Sequence, residues 1–195
     1  MKNKVFNLVD AELIFYPTFF NQQESSWLFD KLVDEIKWRN GQIKLFGKLV
    51  GEPRQTAFYG DKGLSYTYSG KIQQTEDWTE SLLIIKEKLV NTLMLEFNSV
   101  LANLYRCGKD SMGWHSDNER ELGQDPIIAS VSFGATRIFR LKHISNTSLC
   151  ENIELTNGSL LLMKGSTQHF WKHQIPKTNK VVEKRINLTF RNIIT

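Results

Sequence analysis

Three sets of polar residues in the second half of the chain suit one kind of chemistry. They are His115-Ser116-Asp117, then His173, then the run Arg185-Ile186-Asn187-Leu188-Thr189-Phe190-Arg191. A His-x-Asp pair with a distant His is the ligand set of a non-haem Fe(II) site that keeps coordination positions open. Successive side chains of a strand alternate between faces, so His115 and Asp117 project together if they lie on extended backbone. Three ligands leave room for a bidentate oxoacid and dioxygen. Read alone, the pair is also compatible with a polar surface loop, given Asn118, Glu119, Arg120 and Glu121 immediately after it.

The C-terminal run sharpens the reading. Arg185, Asn187, Thr189 and Arg191 share one face of a strand, and Ile186, Leu188 and Phe190 share the other. The two arginine Cα atoms should lie ~20 Å apart at roughly 3.3 Å per residue. Long side chains leaning inward could close most of that gap onto a short dicarboxylate, for which a guanidinium has matching bidentate geometry. The alternative is an amphipathic strand with its polar face in water, because buried charges need partners. Asn103 and Tyr105 repeat the alternation upstream and offer an amide and a phenol to a carboxylate. Together these residues point to an oxygenase that uses Fe(II), 2-oxoglutarate and O2.

The elements that must position them come from the rest of the chain. At 195 residues the chain fits one domain with a sizeable core. Asn21 can cap a helix with Glu24 at its third position, and Trp27, Leu28, Leu32, Val33 and Ile36 form its apolar stripe. A second helix should run from about Thr79 to Phe97, with Leu82, Ile85, Leu89, Leu93 and Phe97 at helical spacing. Short strands and turns lie between them, over 42–50, 54–59 and 64–68. From Val100 onward the chain reads as strands, over 100–107, 127–133, 137–142, 159–163 and 184–193. The expected class is α+β, two supporting helices against a jelly-roll sandwich that holds the site.

Composition bounds the function classes. The net charge of +4 and a pI near 9.0 are compatible with a nucleic-acid partner and equally with an ordinary basic protein. Cys107 and Cys150 have no C-x-x-C spacing, which fits a reducing compartment and excludes a thiolate metal site. No stretch approaches the ~18 apolar residues that span a bilayer, and the N-terminal residues lack a signal-peptide pattern. The expectation is a cytoplasmic monomer with no membrane contact, or a nuclear one in a eukaryote.

Several segments resemble the AlkB family of Fe(II)/2-oxoglutarate nucleic-acid dealkylases. They are Asn103-Leu104-Tyr105, His115-Ser116-Asp117, Ile128-Ala129-Ser130-Val131-Ser132-Phe133-Gly134, and Arg185 through Arg191, in the family's order. The resemblance runs from about Pro53 to Asn192 and implies a double-stranded β-helix, the jelly-roll of the family. It implies that His115, Asp117 and His173 bind iron. His173 is preferred to His169 because His173-Gln174-Ile175-Pro176 looks like the family's ligand segment. Arg185, Asn187 and Tyr105 would hold the distal carboxylate of 2-oxoglutarate, and Arg191 and Asn103 the carboxylate beside its keto group. The implied reaction couples decarboxylation of 2-oxoglutarate to hydroxylation of an N-methyl carbon. Formaldehyde is then lost, and succinate and CO2 are the other products.

The N-terminal half resembles the nucleotide-recognition lid of the DNA-repairing vertebrate homologues through Pro53-Arg54-Gln55-Thr56, Tyr59-Gly60-Asp61 and Leu64 to Gly70. This implies a β-hairpin lid over about 40–75 and a jelly-roll core over about 98–195. Tyr66 and Tyr68 would stack on a flipped N1-methyladenine or N3-methylcytosine, whose positive charge favours an aromatic face. Glu119 would add charge selectivity. Phe46, in Leu45-Phe46-Gly47-Lys48, resembles the finger that the duplex-preferring homologue wedges into the base stack. Other segments, including Gly165-Ser166-Thr167-Gln168, look more like the homologue that prefers single strands. Methylated DNA is the expected substrate, with RNA and strand preference left open. The competing readings are a dioxygenase of the same chemistry acting on a protein or small molecule, and a catalytically inactive nucleic-acid-binding module.

Overall fold

The computed structural model describes residues 2–45, 48–68 and 71–194, with the backbone alone for 43–45, 48–49, 65–68 and 71–73. Two strands, β1 (Lys4–Leu8) and β2 (Ala11–Tyr16), precede α1 (Gln22–Glu35). Then come β3 (Arg39–Leu45), β4 (Lys48–Gly60), the small pair β5 (Ser65–Tyr68) and β6 (Lys71–Gln74), and α2 (Glu80–Leu93). The second half runs through β7 (Ser99–Tyr105), β8 (Met112–His115), a 3-10 turn (Arg120–Leu122), β9 (Ile128–Gly134) and β10 (Arg137–His143). It ends with β11 (Cys150–Leu155), β12 (Ser159–Lys164), the short α3 (Thr167–Phe170), β13 (Trp171–Ile175) and β14 (Arg185–Arg191).

An eight-stranded sheet of order β1-β2-β12-β9-β14-β7-β4-β3 faces a four-stranded sheet of order β11-β10-β13-β8. One apolar cluster fills the space between the two sheets, with Leu101 and Leu161 from one and Phe139, Leu141 and Ile175 from the other. A second cluster joins the outer face of the large sheet to both helices, through Leu28 and Leu32 of α1 and Leu82, Ile85 and Leu89 of α2. This is the expected α+β jelly-roll.

β14 lies between β9 and β7 near the middle of the large sheet and is buried along its whole length. Its apolar residues Ile186, Leu188 and Phe190 pack into the helix-side cluster, where Trp78 stacks on Phe190 at 6.3 Å. Its polar residues therefore face the other sheet. The reading of this strand as one with a polar face in water is excluded by position. Gly134 is needed at the end of β9, where φ is +82° and an added Cβ would collide with the Lys184 carbonyl and the Phe29 ring.

The helices differ from expectation in detail. Asn21 and Glu24 form the reciprocal capping box that the spacing predicts, with Asn21 Oδ1 accepting from the Glu24 amide at 2.9 Å. Trp27 is not in the buried stripe: it is 47% exposed, because Ser25, Leu28 and Leu32 form the buried line and Trp27 is turned away from it. The second helix ends at Met94 in a left-handed conformation, short of Phe97, which is buried in the chain beyond it. Strands β1, β2, β6, β8, β11 and β13 were not legible as separate runs, and the expected strands over 42–50 and 54–59 divide the chain differently from β3 and β4. Among the described residues, no helix is long and apolar enough to cross a membrane.

Leu188 is fully buried among helix-side residues. Leu188→Ala should destabilise the protein by about 2–5 kcal/mol, read as a lower urea midpoint with the slope unchanged.

Candidate metal centre

β8 is an edge strand of the small sheet and pairs with β13, with His115 opposite His173. Two histidines far apart in sequence become cross-strand neighbours, with ring centroids 4.2 Å apart. Asp117 joins them, and one ligand atom from each of the three lies within 4.8 Å of the others. The expected route differs in one respect. β8 ends at His115, so Asp117 reaches the cluster from irregular chain rather than along an extended strand.

Hydrogen bonds orient two of the donors, and ring stacking holds the third. His115 Nδ1 is 2.8 Å from the Gly113 carbonyl, which can only accept, so the ring proton sits on Nδ1 and the Nε2 lone pair is free for a metal. Phe139 stacks on His173 at 5.0 Å. Burial, with His115 nearby, pushes the His173 imidazole down to about 3, so it is a neutral donor at physiological pH. Burial pushes the Asp117 carboxyl up, but Arg191, His173 and His115 outweigh it and hold the group below the ordinary carboxylate range. Arg191 Nη2 donates to Asp117 Oδ1 at 2.8 Å, while Oδ2 lies 4.0 Å from His173 Nε2.

One cavity between the sheets is lined by all three donors together with Asn103, Tyr105, Arg185, Asn187 and Arg191. Arg185 is 1% exposed; its Nη2 donates to Ser132 Oγ at 2.9 Å, and its Nε and Nη1 are buried without a hydrogen-bond partner. Burial lowers its pKa to about 10, which leaves it charged at neutral pH. A buried cation with open donors is costly unless an anion joins it. The donor set fits Fe(II), and the open donors of Arg185 fit a carboxylate of 2-oxoglutarate.

Residues 12–191 match the 2OG-Fe(II) oxygenase superfamily. Human alpha-ketoglutarate-dependent dioxygenase alkB homolog 3 is 37% identical over 192 residues, covering 94% of this chain and 66% of the relative. DNA oxidative demethylase ALKBH2 is 38% identical over 189 residues in Bos taurus and 37% in Homo sapiens, with 92% of this chain covered and 68% and 72% of the relatives. The chain belongs to the AlkB family. It spans just under two thirds of the first of these relatives. The solved structure of OsALKBH1 shares the fold, with a TM-score of 0.67 at 14% identity over 97% of this chain and all of that one. Fe(II), 2-oxoglutarate and O2 are the cofactors of this superfamily.

Within this AlkB chain some expected residues have further partners. Asn187 donates both amide hydrogens, to Ser130 Oγ at 2.8 Å and the Val131 carbonyl at 3.1 Å, and accepts from Thr189 Oγ1. A carboxylate at Asn187 would have to displace one of these bonds. Asn103 Oδ1 accepts from Arg54 Nε at 2.8 Å, which turns its amide nitrogen away from that arginine. Glu119, two residues past Asp117, precedes the 3-10 turn without a side-chain capping bond and does not line the cavity; its Oε2 is buried without a hydrogen-bond partner. His169 is outside the donor set and pairs with Asp125 at 3.1 Å on the surface. The β5–β6 hairpin expected of the lid is present and carries Tyr66 and Tyr68, whose side chains lie outside the description. Phe46 also lies outside the described residues.

Four residues that contact the site were missed in the sequence. Ser130 and Ser132 alternate on β9 and could have been found as partners of a polar strand face. Arg54 had no such signal beyond its place in the lid segment. Gln168, whose Oε1 accepts from the Asp117 amide at 2.9 Å, had only its place in the segment Gly165 to Gln168.

Two outcomes follow from the buried charges. Arg185→Met should leave the metal-free protein as stable as the parent or more so, because it removes an uncompensated cation; the thermal shift induced by 2-oxoglutarate with Mn(II) should be lost. The second concerns His173 in the metal-free protein. Its pKa is depressed in the folded state, from 6.5 to about 3. The unfolded chain therefore takes up a proton below 6.5 that the folded one refuses. Stability from this group is complete above 6.5 and falls as pH drops towards 3, by about 1.4 kcal/mol per unit at most. Urea titrations of the metal-free protein across this window should show a shallower pH dependence for His173→Gln.

Proposed function

We propose that the protein is a DNA dealkylase that oxidises the methyl group of N1-methyladenine and N3-methylcytosine, releasing formaldehyde, succinate and CO2. The observation that carries this reading is the meeting of the His115, Asp117 and His173 donors with the open guanidinium of Arg185 in one buried cavity. The choice of DNA is supported by relatives named DNA oxidative demethylase.

Fe(II) with 2-oxoglutarate and O2 supplies the oxidation of the methyl carbon. His115 through Nε2, His173 through Nε2 and Asp117 through Oδ2 would hold the metal. Arg185 would take the distal carboxylate of 2-oxoglutarate, beside the Tyr105 ring 5.1 Å from its guanidinium, with Asn187 bracing the strand face. Arg191 and Asn103 would serve the carboxylate next to the keto group. Because Arg191 also holds Asp117 Oδ1, one guanidinium would orient both a metal ligand and the co-substrate. The two sheets would shield the side of the site that lies between them from bulk water.

On this reading the chain is a single dioxygenase domain over 1–195, with the recognition lid over about 40–75 and the jelly-roll core over about 98–195. Tyr66 and Tyr68 would present aromatic faces to the cationic base, and Glu119 a carboxylate. Phe46 would fill the gap that a flipped base leaves. The protein would act as a monomer on methylated DNA, in the cytoplasm or, in a eukaryote, the nucleus.

The test is mass spectrometry of oligonucleotides carrying one N1-methyladenine, single-stranded and duplex, incubated with Fe(II), 2-oxoglutarate and ascorbate. The methyl mass should be lost only with 2-oxoglutarate present, and His115→Ala or Asp117→Ala should abolish the loss while circular dichroism stays that of the parent. Turnover that persists in either variant would sink the proposal.

A further inference from the structure

The amide of Asp117 is in an unusual position for a residue of this site. β8 ends two residues earlier, so no neighbouring strand offers it a carbonyl, and the residue is 2% exposed, so water offers little. A buried backbone donor left without an acceptor is costly. Its acceptor is Gln168 Oε1 at 2.9 Å, from a side chain that is fully buried.

Gln168 is poorly served in return. Its Nε2 has one contact, to Met163 Sδ at 3.6 Å, and a thioether is a weak acceptor. An apolar side chain of similar volume would sit in this place at lower cost. What the amide contributes that an apolar group cannot is the acceptor for Asp117.

The segment that carries Gln168 is itself held in place. Thr167 Oγ1 donates to the Lys164 carbonyl and accepts from the Glu12 amide at 2.9 Å. Trp171 Nε1 donates to the Val9 carbonyl at 2.8 Å. The same segment continues directly into β13 and His173. Gln168 thus links the two stretches of chain that bear the donors, one with His115 and Asp117 and the other with His173.

We propose that Gln168 is a positioning residue of the metal centre, fixing the Asp117 backbone so that its carboxylate faces the two imidazoles before a metal arrives. The proposal rests on the reading of those three residues as metal ligands. Arg191 alone would hold Asp117 by one carboxylate oxygen and leave the backbone free to turn about it. The second tether, at the amide, removes that freedom and leaves Oδ2 for the metal.

The variants are Gln168→Met, which keeps the volume and trades the amide oxygen for a weakly accepting thioether, and Gln168→Asn, which keeps the amide and withdraws it by one methylene. Metal-free protein is titrated with Co(II) and followed by its visible absorption. Both variants should unfold cooperatively and bind Co(II) about 10–100-fold more weakly than the parent, the range for lost outer partners of metal ligands. Hydrogen exchange should quicken in 116–119 of the metal-free variants and stay unchanged in β7 and β14. Excess Fe(II) should restore turnover, so that the metal requirement moves and kcat does not.

Unchanged Co(II) affinity in a folded variant would overturn the proposal. So would loss of cooperative unfolding in both variants before metal is added, which would make Gln168 a core residue. If the parent binds no Co(II), or His115→Ala binds it as well as the parent, both this proposal and the ligand reading beneath it fall.

Discussion

The ion pair from Arg191 Nη2 to Asp117 Oδ1, 2.8 Å long and buried between two sheets, joins the last strand of the fold to the irregular segment that completes the metal donor set. Such a pair is expensive to desolvate and holds only when its geometry is closed by further hydrogen bonds. The Asp117 amide supplies one of these through Gln168. The cost is met by the core around it, since β14 is inserted between β7 and β9 by a full ladder and its apolar face is packed under both helices. The site depends on that strand staying where it is. The helices act on the chemistry only by holding it there.

Six residues along the same strand, Arg185 is in the opposite condition. It lies beside the Ser132 hydroxyl and the Tyr105 phenol, faces no carboxylate among the described residues, and has two nitrogens buried without an acceptor. The strand therefore presents one compensated guanidinium near the metal donors and one uncompensated guanidinium away from them. This asymmetry gives the cavity a direction. A carboxylate that meets Arg185 would pair this surplus charge, which is why binding of a molecule carrying one should be stabilising as well as catalytic in purpose.

The two histidines illustrate how a sheet gathers donors. A hydrogen-bonded register places His115 opposite His173, and the Gly113 carbonyl turns the first ring. His173 is buried against Phe139 and kept neutral by that burial. Position, tautomer and protonation state each come from a different element, and none comes from the histidines themselves.

Much of this was legible along the chain. The alternation of Arg185, Asn187, Thr189 and Arg191 with Ile186, Leu188 and Phe190 fixes two faces on any strand, because the side-chain period is two whatever surrounds it. The His-x-Asp spacing offered His115 and Asp117 as candidate donors, and the family resemblance of the segment at His173 chose that residue over His169 as the third. The cap at Asn21 and the stripe through Leu82, Ile85 and Leu89 placed both helices for equally local reasons. The tertiary structure decided which face of β14 meets which layer, that Arg191 is held by Asp117 while Arg185 is left open, that Trp27 lies outside the core, and that the Asp117 amide finds Gln168. These depend on contacts between residues 51 and 74 positions apart, where no periodicity links the partners and only the packed sheets bring one buried group to another.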